Sequence, residues 1–157
     1  MNLEKAIKIA VEAHTGQLDK GGNPYILHPL RVMLSLDSEE ERIVGVLHDV
    51  VEDCEGWTWD RLRSNGFPEK IIDALQSVSK TPEEEAEFKR LKKTDSEEAV
   101  RRHYFAFVKR AAANEIGQKV KVADIRDNLD ISRIDDITER DINRLNRYKK
   151  ALGILTE

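Results

Sequence analysis

The sequence predicts an all-α fold, and three features carry that expectation. Apolar residues recur at helical spacing in several segments, helix-capping residues stand before many of those segments, and no stretch alternates apolar and polar residues like a half-buried strand. There is no internal repeat, so the helices are expected to form a single domain over residues 1–157, seven or eight in number with several of them short.

The first helix starts at Leu3, where Leu3, Ala6, Ile7, Ala10 and Val11 form one stripe. His14 continues that stripe and is therefore aimed inward. Thr15 to Pro29 contains Gly16, Gly21, Gly22, Pro24 and Pro29 and reads as a loop, followed by a short helix over Leu30–Leu36. Ser38 with Glu41 is a capping box that opens a helix through about Asp53. Further starts stand at Thr58, at Pro68, at Thr81-Pro82 with Glu84, near Asp95-Ser96, and at Thr138 with Asp141. The helix from Ser96 runs to Ala113, and the one from Thr138 forms a tail over residues 138–153. Stops are expected at Asn65-Gly66, Gly117 and Gly153. Glu83 to Lys93, EEEAEFKRLKK, is the least apolar stretch and pairs Glu85 with Lys89. It reads as a solvated helix or surface excursion, with a lid over a phosphorylated ligand as the functional alternative.

Composition excludes several classes. Hydrophobic residues make up 39% and charged residues 36% of the chain, which is polar, yet the apolar spacing is regular enough to build a core. Lys plus Arg total 26 against 30 Asp plus Glu, a net charge of -4, which argues against a dedicated binder of nucleic acid polymers. No apolar run approaches the roughly 20 residues of a membrane span, and MNLEKAIKIA lacks a signal-peptide core, so a cytoplasmic protein without membrane attachment is expected. Cys54 is the sole cysteine. It leaves no internal disulfide and no thiolate zinc cage, so a metal must sit on histidines and carboxylates.

The most informative segment is IVGVLHDVVED, Ile43 to Asp53. At about 100° per residue, His48, Asp49, Glu52 and Asp53 fall within an arc of about 140°, opposite Ile43, Val44, Val46, Leu47, Val50 and Val51. By itself such a face reads as solvated and acidic. The adjacent imidazole and carboxylate of His48 and Asp49 are also suited to a metal, with the carboxylates Glu52 and Asp53 one turn on suited to proton handling. A divalent ion needs more ligands. His28, in PYILHP, can supply one or simply pack in the core. Asp124 follows Val120, Val122 and Ala123 and is a buried carboxylate that needs a partner, either a metal or a salt bridge to Arg126 or another arginine.

In order, the chain carries H-x-G-Q, K-x-G-x-P-Y-I-x-H-P, L-H-D-V-V-E-D and V-K-x-A-D-x-x-x-N. This set, spanning residues 14–131, resembles the HD-domain hydrolases of the RelA/SpoT type, particularly the single-domain small alarmone hydrolases. The resemblance implies that His28, His48, Asp49 and Asp124 hold one divalent metal, usually manganese in that family, which acidifies a water and neutralises phosphate charge. It implies that Glu52 and Asp53 are the catalytic pair, orienting that water and moving protons. Lys20 matches a lysine of the nucleotide pocket and Asn128 an asparagine near the sugar; a solvated lysine and a capping asparagine are their bland alternatives. Tyr104 is assigned either to a nucleotide contact or to core packing, and His14 to packing around the loop. Family members often form dimers or larger assemblies, so a homo-oligomer is compatible with the resemblance.

The chain departs from that pattern at three positions. Asp19 stands where the family usually has arginine, and Asp130 and Ile131 replace an arginine and a threonine. Arg126, Arg133, Arg101 and Arg102 are the candidates to compensate, and an arginine restored at position 19 is expected to tighten binding. The expected activity is metal-dependent removal of pyrophosphate from the ribose 3′ position of guanosine 3′,5′-bis-diphosphate or a related nucleotide. The alternatives are an HD phosphohydrolase acting on another phosphorylated nucleotide and a non-catalytic nucleotide-sensing module.

Overall fold

The computed structural model describes all residues, 1–157, and the chain is built from helices alone. The segments are α1 (Leu3–Ala13), α2 (Leu27–Leu34), α3 (Glu39–Leu47), α4 (Val50–Asp53), α5 (Trp59–Ser64), α6 (Glu69–Ser77), α7 (Pro82–Lys92), α8 (Glu97–Ala112), α9 (Glu115–Asn128) and α10 (Glu139–Thr156). Eight of these have at least eight residues, as expected, and α4 and α5 are the short ones. The only strand-like pairing is an isolated bridge between Leu18 and Pro24.

The caps fall where the sequence places them. Ser38, Thr81 and Thr138 each close a capping box, with Glu41, Glu84 and Asp141, and Thr58 and Ser96 accept from the first turns of α5 and α8. Four expectations need correction. Helix α2 starts at Leu27 rather than Leu30, which puts His28 on the helix; Pro29 is tolerated there because a first-turn N–H has no intrahelical partner. The helix opened by Ser38 does not run unbroken to Asp53. His48 Nδ1 donates to the Gly45 carbonyl at 2.6 Å, the acceptor that a continuing helix needs, and the chain turns through His48-Asp49 before α4. Gly117 lies inside α9 instead of ending a helix, because α9 crosses α6 so closely that a Cβ there would overlap Ser77 Oγ. Gly153 lies inside α10, which continues to Thr156 and buries Leu155.

Helix α3 is central, packed against α1, α2, α6 and α9. Ile43, Val44, Val46 and Leu47 lie in the larger core cluster with Ile71, Ile72 and Leu75 of α6. Gly45 faces α2 closely, since a Cβ there would fall 3.5 Å from the Met33 Cα of α2 and 2.7 Å from Leu36 Cδ1 just beyond it. A second cluster joins Phe88, Tyr104, Phe107, Val108, Ile125, Ala151 and Leu155, and seats α10 on α8 and α9. The polar exceptions to this burial are informative: His14, His28, His48, Lys121 and Asp124 are all buried.

Candidate metal centre

Three elements bring the expected ligands together: α2 supplies His28, the turn after α3 supplies His48 and Asp49, and α9 supplies Asp124. Asp49 Oδ2 lies 3.0 Å from His48 Nε2 and 3.8 Å from His28 Nε2. Asp124 Oδ1 lies 3.1 Å from His28 Nε2 and 3.5 Å from His48 Nε2. His28, His48 and Asp49 offer ligand atoms all within 4.8 Å of one another, close enough to share one ion, while Asp124 Oδ1 is near both imidazoles but stands outside that group.

The hydrogen bonds behind the imidazoles test whether an ion fits. His48 Nδ1 donates to a carbonyl, and His28 Nδ1 donates to Asp127 Oδ2 at 2.6 Å. Both neutral rings therefore turn a lone pair inward, and His48 Nε2 is buried with no hydrogen-bond partner. Two lone pairs facing two carboxylates need a cation between them, or protons in its place. The local electrostatics run the same way. Burial alone would lower the His28 pKa, but hydrogen bonding to Asp124 and Asp127 raises it to about 8. Burial also opposes protonation of His48, yet Asp49 and Asp124 raise its pKa well above the ordinary value. The mixed set of two imidazoles and two carboxylates suits a divalent metal.

The carboxylates are tied down from outside. Asp49 accepts from Tyr25 OH at 2.5 Å, and Asp124 accepts from Lys121 Nζ and Asn128 Nδ2, each at 2.9 Å. Asp124 is thus partnered by a buried lysine one turn earlier, and Arg126, the partner weighed from sequence, is exposed. Asp127 is held by Arg31 through Nε at 2.8 Å and Nη2 at 3.1 Å while it accepts from His28. Tyr25, Lys121, Asp127 and Arg31 all escaped sequence reasoning. The recoverable signals were Lys121 three residues before Asp124, Asp127 three after it, and Arg31 three after His28, each on the same helix face.

Glu52 and Asp53 follow on α4. Burial and the nearby Asp49 raise the Glu52 pKa, against the pull of Lys80, whose backbone N–H donates to Glu52 Oε2 at 3.1 Å. Desolvation of its carboxyl, then the carboxylates of Asp49 and Glu52, push Asp53 up to about 7, although the residue as a whole reaches solvent. A carboxyl that titrates near neutrality is suited to exchanging protons.

A cavity of about 250 Å³ opens beside His28 and Tyr25. Its walls include Lys20 and Asn128, with the cations Arg31, Arg133 and Arg144 against the acids Asp19 and Asp130. Two cavities are larger, about 690 and 800 Å³; neither touches a histidine of the cluster, but Glu52 lines the 800 Å³ one, and neither Glu52 nor Asp53 lines the cavity beside His28. Of the arginines proposed to compensate, Arg133 faces this cavity; Arg126 lines the 690 Å³ one, and Arg101 and Arg102 pair with Glu97 and Glu98. Asp19 accepts the N–H groups of Gly21 and Asn23, both at 2.9 Å, and so shapes the loop that carries Lys20. Tyr104 is 5% exposed, packed against Phe88, Phe107 and Tyr148, and does not line the cavity. His14 is buried, its Nδ1 2.8 Å from Gln17 Oε1 and its ring against Tyr25.

Comparison with known proteins follows the same lines. The family model described as HD domain matches residues 6–133. The chain is 36% identical over 84 residues to the Arabidopsis thaliana protein named putative GTP diphosphokinase RSH1, chloroplastic, covering 50% of this chain and 10% of that one. It is 36% identical over 80 residues to the Borreliella burgdorferi guanosine-3′,5′-bis(diphosphate) 3′-pyrophosphohydrolase, covering 48% of this chain and 12% of that one. The chain therefore spans about a tenth of the length of these curated relatives. A solved structure, described as a metazoan ortholog of SpoT that hydrolyzes ppGpp and plays a role in starvation responses, matches with a TM-score of 0.72 at 20% identity, covering 98% of this chain and 84% of that one. At that identity the likeness is one of fold. No helix is long and apolar enough to cross a membrane.

Proposed function

The chain belongs to the HD domain family, and from that premise we propose that residues 1–157 act as one metal-dependent phosphohydrolase domain, removing pyrophosphate from the ribose 3′ position of guanosine 3′,5′-bis-diphosphate or a related nucleotide. The observation that carries this reading is the His28, His48, Asp49 and Asp124 cluster opening beside a cavity lined by four cationic side chains. The names of the relatives support the same substrate class.

His28, His48, Asp49 and Asp124 would hold the ion, and manganese suits their nitrogen and oxygen donors. When bound, the ion supplies charge neutralisation at phosphorus and a more acidic water. In the reaction, water adds to the phosphorus nearest the ribose, the bond from that phosphorus to O3′ breaks, and O3′ takes a proton. Glu52 and Asp53 accept the proton of the water and return one to O3′. Tyr25 keeps its proton, because burial and the charge of Asp49 raise its pKa, and it orients Asp49 by donation. Lys20, Arg133 and Arg144 attract the phosphates, and Asn128 stands near the sugar while bracing Asp124. Free nucleotides, in the cytoplasm, are the intended partners; nucleic acid polymers are not.

A second enzyme reading, another phosphorylated nucleotide, draws on Asp19 and Asp130 in the cavity wall. The sensing-module reading is opposed by the presence of both Glu52 and Asp53. Turnover of purified protein with manganese is to be measured against guanosine 3′,5′-bis-diphosphate and a panel of nucleotides. Release of pyrophosphate from the first compound supports the proposal, turnover of another nucleotide alone supports the second reading, and tight binding without turnover supports the sensor.

A further inference from the structure

The link between α6 and α7 grips the region of the metal cluster at two points. Ser79 Oγ donates to the His48 carbonyl at 3.2 Å, and Ser79 is itself fixed by Arg110 Nη2, which donates to its carbonyl at 2.7 Å. The next residue, Lys80, reaches both oxygens of Glu52: its backbone N–H donates to Oε2 at 3.1 Å, and its Nζ lies 3.7 Å from Oε1. Those two side chains are only 18% and 15% exposed. The ammonium is further confined by Glu85 Oε2 at 3.3 Å and by the ring of Phe88, 4.6 Å away. A lysine so enclosed lacks the freedom that makes surface ion pairs weak.

We infer that Lys80 is a positioning residue for Glu52, holding its carboxylate at a fixed angle beside the metal cluster through one main-chain and one side-chain contact. The inference rests on the reading of Glu52 as an acid–base residue. An anchoring role for α7 is the competing explanation, and it would act through the Lys80–Glu85 pair instead. The two differ in what they predict. A backbone donor survives any substitution, so removing the ammonium frees one carboxylate oxygen and leaves the fold of the linker intact.

The test compares Lys80→Met, Lys80→Gln, Lys80→Arg and Glu85→Gln in the manganese-loaded protein. The neutral variants are expected to lose between about 10- and 100-fold in kcat with KM and metal content unchanged, the usual range for a small misplacement of a reacting group. Lys80→Arg restores most of the loss, and Glu85→Gln, which leaves the ammonium on Glu52, loses at most a few-fold. A readout independent of turnover is the carbon-13 titration of the Glu52 carboxyl, assigned with Glu52→Gln and recorded with magnesium in place of manganese. Asp49, Asp53 and Glu85 surround that carboxyl with negative charge and Lys80 and Lys121 with positive charge, so loss of the Lys80 ammonium moves the titration to higher pH. Equal kcat and an unmoved titration in the neutral variants overturn the inference, as does an equal loss in Glu85→Gln. If the wild type turns over no nucleotide, the proposed activity fails, and the Glu52 titration alone still decides the role of Lys80.

Discussion

His28 donates from Nδ1 to Asp127 Oδ2 at 2.6 Å, so the carboxylate one turn beyond Asp124 fixes the ring whose other nitrogen faces the cluster. Asp127 is in turn clamped by Arg31, one turn after His28 on α2, which makes the α2–α9 contact a closed pair of interactions. Carboxylates behind a metal-binding imidazole set its tautomer and orientation. Asp127→Ala is therefore expected to weaken manganese affinity by roughly 10- to 100-fold without removing a ligand, measured by titration calorimetry. Unchanged affinity would show that His28 needs no such support.

The proposed ligand role of Asp124 and its pairing with Lys121 are separable by substitution. His48→Ala and Asp124→Ala should both lose most bound metal, and with it the stabilisation that a ligand of the folded state provides. Asp124→Ala also strands the buried Lys121 ammonium, which donates to it at 2.9 Å. Breaking a buried pair costs about 3–5 kcal/mol, so metal-free Asp124→Ala should melt well below metal-free His48→Ala. Adding Lys121→Met to Asp124→Ala should recover much of that difference. Full metal occupancy in either single variant removes that residue from the ligand set.

Those two residues also show what was legible beforehand. The four presumed ligands came from motif order, and the fold brings them together because helical spacing and capping residues place α2, α3 and α9 around one core. What surrounds the ligands was not legible in the same way. The partner of Asp124 is Lys121 rather than an arginine, since a contact one turn back along a helix competes with every residue that the fold brings near. The turn at His48-Asp49 was hidden because the segment has the apolar period of an unbroken helix, and only the imidazole taking the Gly45 carbonyl interrupts it. Gly117 has the sequence signature of a stop, whereas its real constraint is the close crossing of α6, a contact between distant parts of the chain.

The raised imidazole pKa values give the metal-free protein a distinctive pH dependence. The His28 pKa is raised to about 8 from an unfolded value of 6.5, and the His48 pKa is raised in the same direction. Protonation then stabilises the folded state fully below pH 6.5, and this contribution is lost as pH rises through about 8. Asp53, pushed up to about 7 from 3.8, works in the same direction at lower pH. Melting temperature with chelator should fall across this window, whereas with saturating manganese the ion replaces the protons and the decline should largely vanish. Manganese affinity should rise over the same interval, because binding releases protons. A melting-temperature gap between manganese-loaded and chelated protein that does not widen from about pH 6 to about pH 9 contradicts the assignment.

Glu52→Gln and Asp53→Asn are expected to retain metal and bind nucleotide while losing on the order of 10²-fold or more in turnover. Both side chains sit beyond the cluster, and both have raised pKa values. Metal analysis alongside single-turnover kinetics distinguishes the roles: loss of metal in either variant makes that carboxylate a ligand, and wild-type rates in both remove the acid–base assignment.

The last prediction concerns the phosphate grip, where the structure reverses an expectation. From sequence, Asp19 looks like a lost arginine, and Asp19→Arg like a repair. In the fold, Asp19 accepts the N–H groups of Gly21 and Asn23 and so holds the turn that presents Lys20. An arginine cannot accept those bonds, so Asp19→Arg should raise KM by loosening the loop. Positive charge reaches the cavity from elsewhere. Arg144 lines it, with Nη2 3.2 Å from Asp141 Oδ1 and a buried Nε that has no partner. Lys20 approaches the same Asp141 carboxylate at 4.0 Å. Each can give an incoming phosphate a charge-assisted hydrogen bond worth about 1.5–3 kcal/mol, so Arg144→Met and Lys20→Met should each raise KM by roughly 10- to 100-fold with kcat nearly kept. Steady-state kinetics on guanosine 3′,5′-bis-diphosphate decides the matter. Unchanged KM in both variants would place the phosphates outside this cavity, and a lowered KM in Asp19→Arg would restore the reading of Asp19 as a missing contact.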